Sequence, residues 1–122
     1  MTLQLGPVIG KIGGADVTST AITGDQRGTS WHTIHTVEVP DGETWLIVAD
    51  GMAQSSSSLN AYTCRIRIGS AVSETPSGPD PHPTSTGTAA TGPASVPVEI
   101  SNGNSNGTTD FTGTVYTVPL PD

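Results

Sequence analysis

"HTVEVPDGETWLIVADG", residues 35–51, is the stretch whose reading decides the fold. Val37 and Val39 alternate with polar residues, then Pro40-Asp41-Gly42 interrupts the run. Pro40 presets φ for a turn, Asp41 can bond a nearby backbone N–H, and Gly42 accepts a left-handed conformation. These residues predict a β-hairpin whose second strand starts at Thr44. That strand has no polar side: Trp45, Ile47 and Ala49 lie on one face, Leu46 and Val48 on the other. A strand apolar on both faces needs a cover, either another subunit or a loop that folds back. The first reading makes Trp45, Leu46, Ile47 and Val48 an oligomer interface.

Working outward, strand-like runs recur at 3–12, 16–23, 31–39, 44–50, 59–69, 94–100 and 109–118. Helical periodicity is absent, because 15 Gly, 10 Pro and abundant Thr interrupt every candidate window. In "AYTCRIRIG" (61–69) the alternation is clean, with Tyr62, Cys64, Ile66 and Ile68 on one face and Arg65 and Arg67 on the other. The pattern predicts an all-β, antiparallel, jelly-roll-like sandwich. Its core is expected from Tyr62, Cys64, Ile66, Ile68, Val98, Ile100, Phe111 and part of 45–49. Residues 70–93 hold Pro76, Pro79, Pro81 and Pro83 and read as one long Pro/Ser/Thr-rich loop or arm. The 30 or so residues after it are too few for a second core, so residues 1–122 form a single domain.

Acids outnumber bases 11 to 4, for a net charge of -7. Such a chain repels phosphate backbones and anionic surfaces, so nucleic acid and membrane are not expected partners. Thr (19) and Ser (13) supply the remaining polarity and Lys11 is the only lysine, a composition suited to concentrated salt. Only five residues are aromatic, which predicts a thin core that gains from a neighbouring subunit. Cys64 stands alone and reads as a small buried hydrophobe. The N-terminal "MTLQLGPVIGKIGG" has no signal-peptide pattern, so the chain is expected to fold inside the cell that makes it.

Motifs with chemical meaning fall short. "WHTIHTVEVPDGETWLIVADG" (31–51) is similar to the first motif of the cupin family and offers His32, His35, Glu38, Pro40, Gly42 and Gly51. It has H-x-x-H where that family has H-x-H, and residues three apart on a regular strand face opposite ways. A bulge would be needed to bring the histidines together. "SNGNSNGTTD" (101–110) imitates a calcium loop through Asn102, Asn104, Asn106 and Asp110, but with neutral amides and Gly113 at the position of the closing Glu. Its Asn106-Gly107-Thr108 also spells a glycosylation acceptor. His32, His35 and Asp110 are therefore candidate metal ligands without a defined set, and no cofactor is expected. "GPVIGKIGG" lacks the spacing and the Ser or Thr of a phosphate loop, and no serine sits in a nucleophile elbow. Arg65 and Arg67 read as solvated or paired surface charges rather than anion ligands. A carboxylate pair such as Asp50 and Glu99 has no motif to single it out.

"VEVPDGETWLIV" (37–48) and the closing "GTVYTVPLPD" (113–122) resemble small accessory virion proteins of tailed viruses, namely capsid turret, decoration or tail proteins. The acidic, lysine-poor composition would place such a protein with viruses of halophilic archaea. The resemblance implies a non-enzymatic structural subunit, assembled in the host cytoplasm into the virion with other capsid or tail proteins. It also implies a homo-oligomer, trimer first and pentamer second. The alternatives are a cupin-like metal-binding protein and a secreted adhesion or surface-layer β-module.

Overall fold

Alternation of apolar and hydroxyl side chains builds nine strands in the computed structural model, which describes residues 8–12, 15–55, 63–76 and 80–121. They are β1 (Val8–Ile12), β2 (Ala15–Arg27), β3 (His32–Val39), β4 (Thr44–Gln54), β5 (Thr63–Ile68), β6 (Ala71–Pro76), β7 (His82–Thr91), β8 (Ala94–Asn102) and β9 (Thr108–Leu120). No helix occurs among the described residues. One sheet has the order β1-β2-β9-β4-β7 and the other β3-β8-β5-β6, with every neighbouring pair antiparallel. From β2 onward the chain changes sheet at every connection except β5 to β6, which produces the jelly-roll order, and β1 extends the larger sheet beside β2.

The turn after β3 forms as its residues require, but it does not make a hairpin. Gly42 has φ 81° and the Glu43 N–H donates to the Pro40 carbonyl at 3.2 Å. Yet β3 pairs with β8, and β4 pairs with β7 and β9. Turn residues set a bend; distant strands set which sheet each arm joins. The corner is tied instead to the connection between β7 and β8, where the Gly92 N–H donates to the Glu43 carbonyl at 2.9 Å and Asp41 bridges to Gly92. A Cβ at position 92 would collide with the Pro40 carbonyl, so the close approach demands glycine.

Residues 70–93 are not a long loop. They contain β6 and β7, which form the outer edges of the two sheets on one side of the sandwich. An edge strand needs only one ladder of hydrogen bonds, so Pro83 is tolerated there, and Thr-rich sequence suits a pleated strand. Prolines in inner strands follow the same logic. Pro97 lies one residue beyond the last β5–β8 pair, Ile68–Val98, and Pro119 lies beyond the last β2–β9 pair, Thr18–Thr117.

Between the sheets lie Ile22, Val37, Val39, Ile47, Ala49, Cys64, Ile66, Ile68, Val96, Val98, Ile100, Phe111 and Val115, all buried. The expected core residues among the described positions are therefore all inside; Tyr62 lies outside the described residues. Phe111, the sole phenylalanine, fills the space left where Gly51 pairs with Gly113, since a Cβ on either glycine would press on its ring.

Candidate functional site

The histidine segment does contain a bulge. The β3–β8 register slips between Thr33 and His35, so His32 pairs with Ile100 and His35 with Val98, two residues of the core side. The extra residue, Ile34, packs against the core. Glu38, however, is on the outer face, where its carboxylate accepts a 2.6 Å bond from Ser95 Oγ. The motif's acid is thus separated from its histidines by the sheet. Among the described residues no group of three His, Cys, Asp or Glu side chains is placed to hold a metal.

The asparagine loop uses the side-chain amides of Asn102 and Asn104 internally. Asn102 is fully buried; its Nδ2 donates to the Thr108 carbonyl (3.0 Å) and Thr109 Oγ1 (3.3 Å), and its Oδ1 accepts from Asn104 N (2.9 Å). Asn104 Oδ1 in turn accepts from Asn106 N at 2.9 Å. These are Asx turns that lock the corner between β8 and β9, and Gly107 leaves room for the Asn102 amide. Asp110 is on the following strand, opposite Asp25 across the β2–β9 ladder. Partial burial, reinforced by the Asp25 charge, holds its carboxyl above the ordinary value of 3.8.

On the outer face of the smaller sheet, Arg67 grips Glu99 Oε1 through Nε (3.1 Å) and Nη2 (2.9 Å). Arg65 donates to Ser101 Oγ (2.9 Å) and to the carbonyls of Thr29 and Asn102 (both 3.2 Å). The Trp31 ring lies over both guanidinium groups, at 4.1 Å from Arg67 and 4.8 Å from Arg65. The arginines are engaged by the protein itself, the paired of the two alternatives their sequence pattern leaves open, and Trp31 is the partner that pattern did not reveal. Asp50 and Glu99 sit on the outer faces of opposite sheets, which excludes them as a working carboxylate pair.

The outer face of the larger sheet differs. Trp45 packs against the core and Ile47 is 0% exposed, so these two expected interface residues are turned inward and Ile47 is unavailable to another subunit. Leu46 and Val48 point outward, paired across the β4–β9 ladder with Val118 and Tyr116, and Leu120 follows opposite Thr44. Ala89 and Gly87 lie beside them on β7. Leu46 (36%), Tyr116 (36%) and Leu120 (38%) are exposed while Val48 and Val118 are half-buried. The strip stops at one level on both strands: the next outward pair is Asp50–Thr114, and of the outward residues beyond it on these two strands only Met52 is apolar. Tyr116, Val118 and Leu120 carry a sequence signal of their own, an apolar alternation in "VYTVPL". It gains meaning only once the register sets them beside Leu46 and Val48.

The sequence matches no protein-family model and no curated protein.

Proposed function

We propose that the chain is a non-catalytic structural subunit that works as a closed homo-oligomer on a virion, as a capsid decoration, turret or tail component. The observation that carries this reading is the registered apolar strip of Leu46, Val48, Tyr116, Val118 and Leu120 on an outer sheet face. Five apolar side chains in adjoining positions across two central strands form a contiguous contact surface, whereas scattered exposed apolar residues carry no such meaning. A closed assembly of identical copies covers such a surface without leaving it open to aggregation. The jelly-roll order by itself does not choose, since viral capsid domains, lectins and cupins share it. The virion setting, with assembly in the host cytoplasm, and the ranking of trimer before pentamer rest on the sequence resemblance alone.

The test is Leu46→Asp. Its side chain is already at the surface, so the variant folds with unchanged circular dichroism but loses the contact, giving a soluble species of lower mass by light scattering in high salt. An unmodified protein that is monomeric at micromolar concentration in high salt, and that binds no capsid or tail component, overturns the reading.

A further inference from the structure

The larger sheet ends on β7, and that edge is unlike the other three. β3 carries a bulge and Glu38; β6 has six residues including Glu74 and a terminal Pro76; β1 has five residues including Lys11. Bulges, charges, prolines and shortness are the devices that keep a sheet edge from pairing with another chain. β7 has ten residues with no Lys, Arg, Asp or Glu, and its register with β4 runs unbroken from Ala53–His82 to Thr44–Thr91. Its one guard, Pro83, sits at the start. From Thr84 to Thr91 the outer edge presents a regular row of backbone groups, and no described strand pairs with it.

We propose that β7 is a self-association edge: two copies pair β7 to β7, antiparallel across a two-fold axis, joining their sheets into one of about ten strands. The proposal rests on the homo-oligomeric reading above and adds a second interface to the apolar strip. Charge selects the occupant. A molecule of net charge -7 repels its own copies wherever carboxylates meet, but residues 82–91 hold none, Leu46 and Val48 lie beside Ala89 and Gly87, and Asp50, opposite Ser85, is the one carboxylate of β4 that borders the strand. Two identical β7 strands bring only Thr, Ser, Gly and Ala together from residue 84 onward. Pairing β7 with β1, β3 or β6 would introduce Lys11, the bulge and Glu38, or Glu74. A basic partner would be drawn to the acidic remainder of the surface instead. Because a two-fold axis doubles whatever the apolar strip assembles, the copy number is even: a trimer through the strip becomes a hexamer and a pentamer a decamer.

The experiment compares three proteins by light scattering in high salt: wild type, Ser85→Glu and Leu46→Asp. Ser85 is exposed, outward-facing and opposite Asp50, beyond the end of the apolar strip, so Ser85→Glu should keep its circular dichroism spectrum and show half the wild-type mass. Leu46→Asp should remain a dimer. Amide hydrogen exchange supplies a second measurement that needs no variant: exchange within 82–91 should slow several-fold on going from dilute to assembled wild type. An odd copy number, an unchanged mass in Ser85→Glu, or exchange within 82–91 indifferent to assembly each overturns the β7 pairing while leaving the homo-oligomer intact. A monomeric wild type removes both.

Discussion

Replacing Asn102 with alanine tests whether the loop between β8 and β9 is a structural lock or a cation site. The residue is fully buried, and truncation removes three hydrogen bonds: to the Thr108 carbonyl, to Thr109 Oγ1 and from Asn104 N. A net bond is worth about 1 kcal/mol, and more where a buried group loses its partner. Thr109 Oγ1 still donates to the Ser101 carbonyl at 2.8 Å, and Asn104 is half-exposed and can bond water, so those two losses fall at the low end. The void left by the amide adds to the cost because Gly107 has no side chain to fill it. The sum is about 2–4 kcal/mol, a large share of the roughly 5–15 kcal/mol that stabilises a domain. At about 4 °C per kcal/mol for a chain of this size, the thermal midpoint by circular dichroism should fall by about 8–16 °C. Asn102→Asp should lose more, since it places a buried charge against the Thr108 carbonyl. Millimolar calcium should move neither the wild-type nor the variant midpoint, because the amide oxygens of Asn102 and Asn104 already accept from the loop's own backbone. A loss under about 1 kcal/mol, or a calcium-dependent rise in the wild-type midpoint, would refute the lock.

Two further substitutions probe the outer faces. Asp110→Asn should stabilise the protein at neutral pH: a carboxyl whose folded pKa lies above 3.8 takes up its proton more readily when folded, so wild-type stability falls as pH rises through that raised value. The gain should vanish below the ordinary carboxylate range and shrink in molar salt, as pH-resolved denaturant titrations of both proteins will show. Trp31→Ala removes the ring over Arg65 and Arg67 and should cost about 1–2 kcal/mol. A double-mutant cycle with Arg67→Ala should return a coupling of about 0.5–1 kcal/mol, and zero coupling would mean the stacking carries no energy.

The sheets were legible where one strand's own alternation decided its burial. Cys64, Ile66 and Ile68 against Arg65 and Arg67, and Trp45, Ile47 and Ala49 against Leu46 and Val48, divide between faces as their spacing requires. What depends on partners was not legible. Pro40-Asp41-Gly42 dictates a bend, but nothing within 35–51 states that its two arms join different sheets. β6 and β7 hide in Pro/Ser/Thr-rich sequence because edge strands tolerate proline and need few large apolar residues. The bulge at Thr33/His35 has no local signature, so the faces of His32 and His35 follow from the β8 register alone. Asn102, Asn104 and Asn106 share their spacing with calcium ligands, and only their hydrogen bonds separate an Asx-turn corner from an ion site.

The two outer faces differ in what they leave unsatisfied, and the proposed function rests on that difference. On the smaller sheet Arg67 answers Glu99, Arg65 answers Ser101 and two carbonyls, Ser95 answers Glu38, and Trp31 covers the guanidinium groups. Those polar groups find their partners within the chain. On the larger sheet, β9 shows that hydroxyl side chains were available for the same geometry: its outward residues run Thr112, Thr114, then Tyr116, Val118, Leu120. β4 runs the same boundary in reverse, Leu46 and Val48 before Asp50, so the change from apolar to polar occurs at one height on both strands. Strand formation cannot demand the change, because Thr is as good a strand residue as Val or Tyr. Core packing cannot demand it either, because these side chains point away from the core. The proposed partner, with its edge at that height, would account for it. β7, which carries no charged residue, borders this strip at Gly87 and Ala89, so an edge with which no described strand pairs and a row of apolar side chains lie side by side.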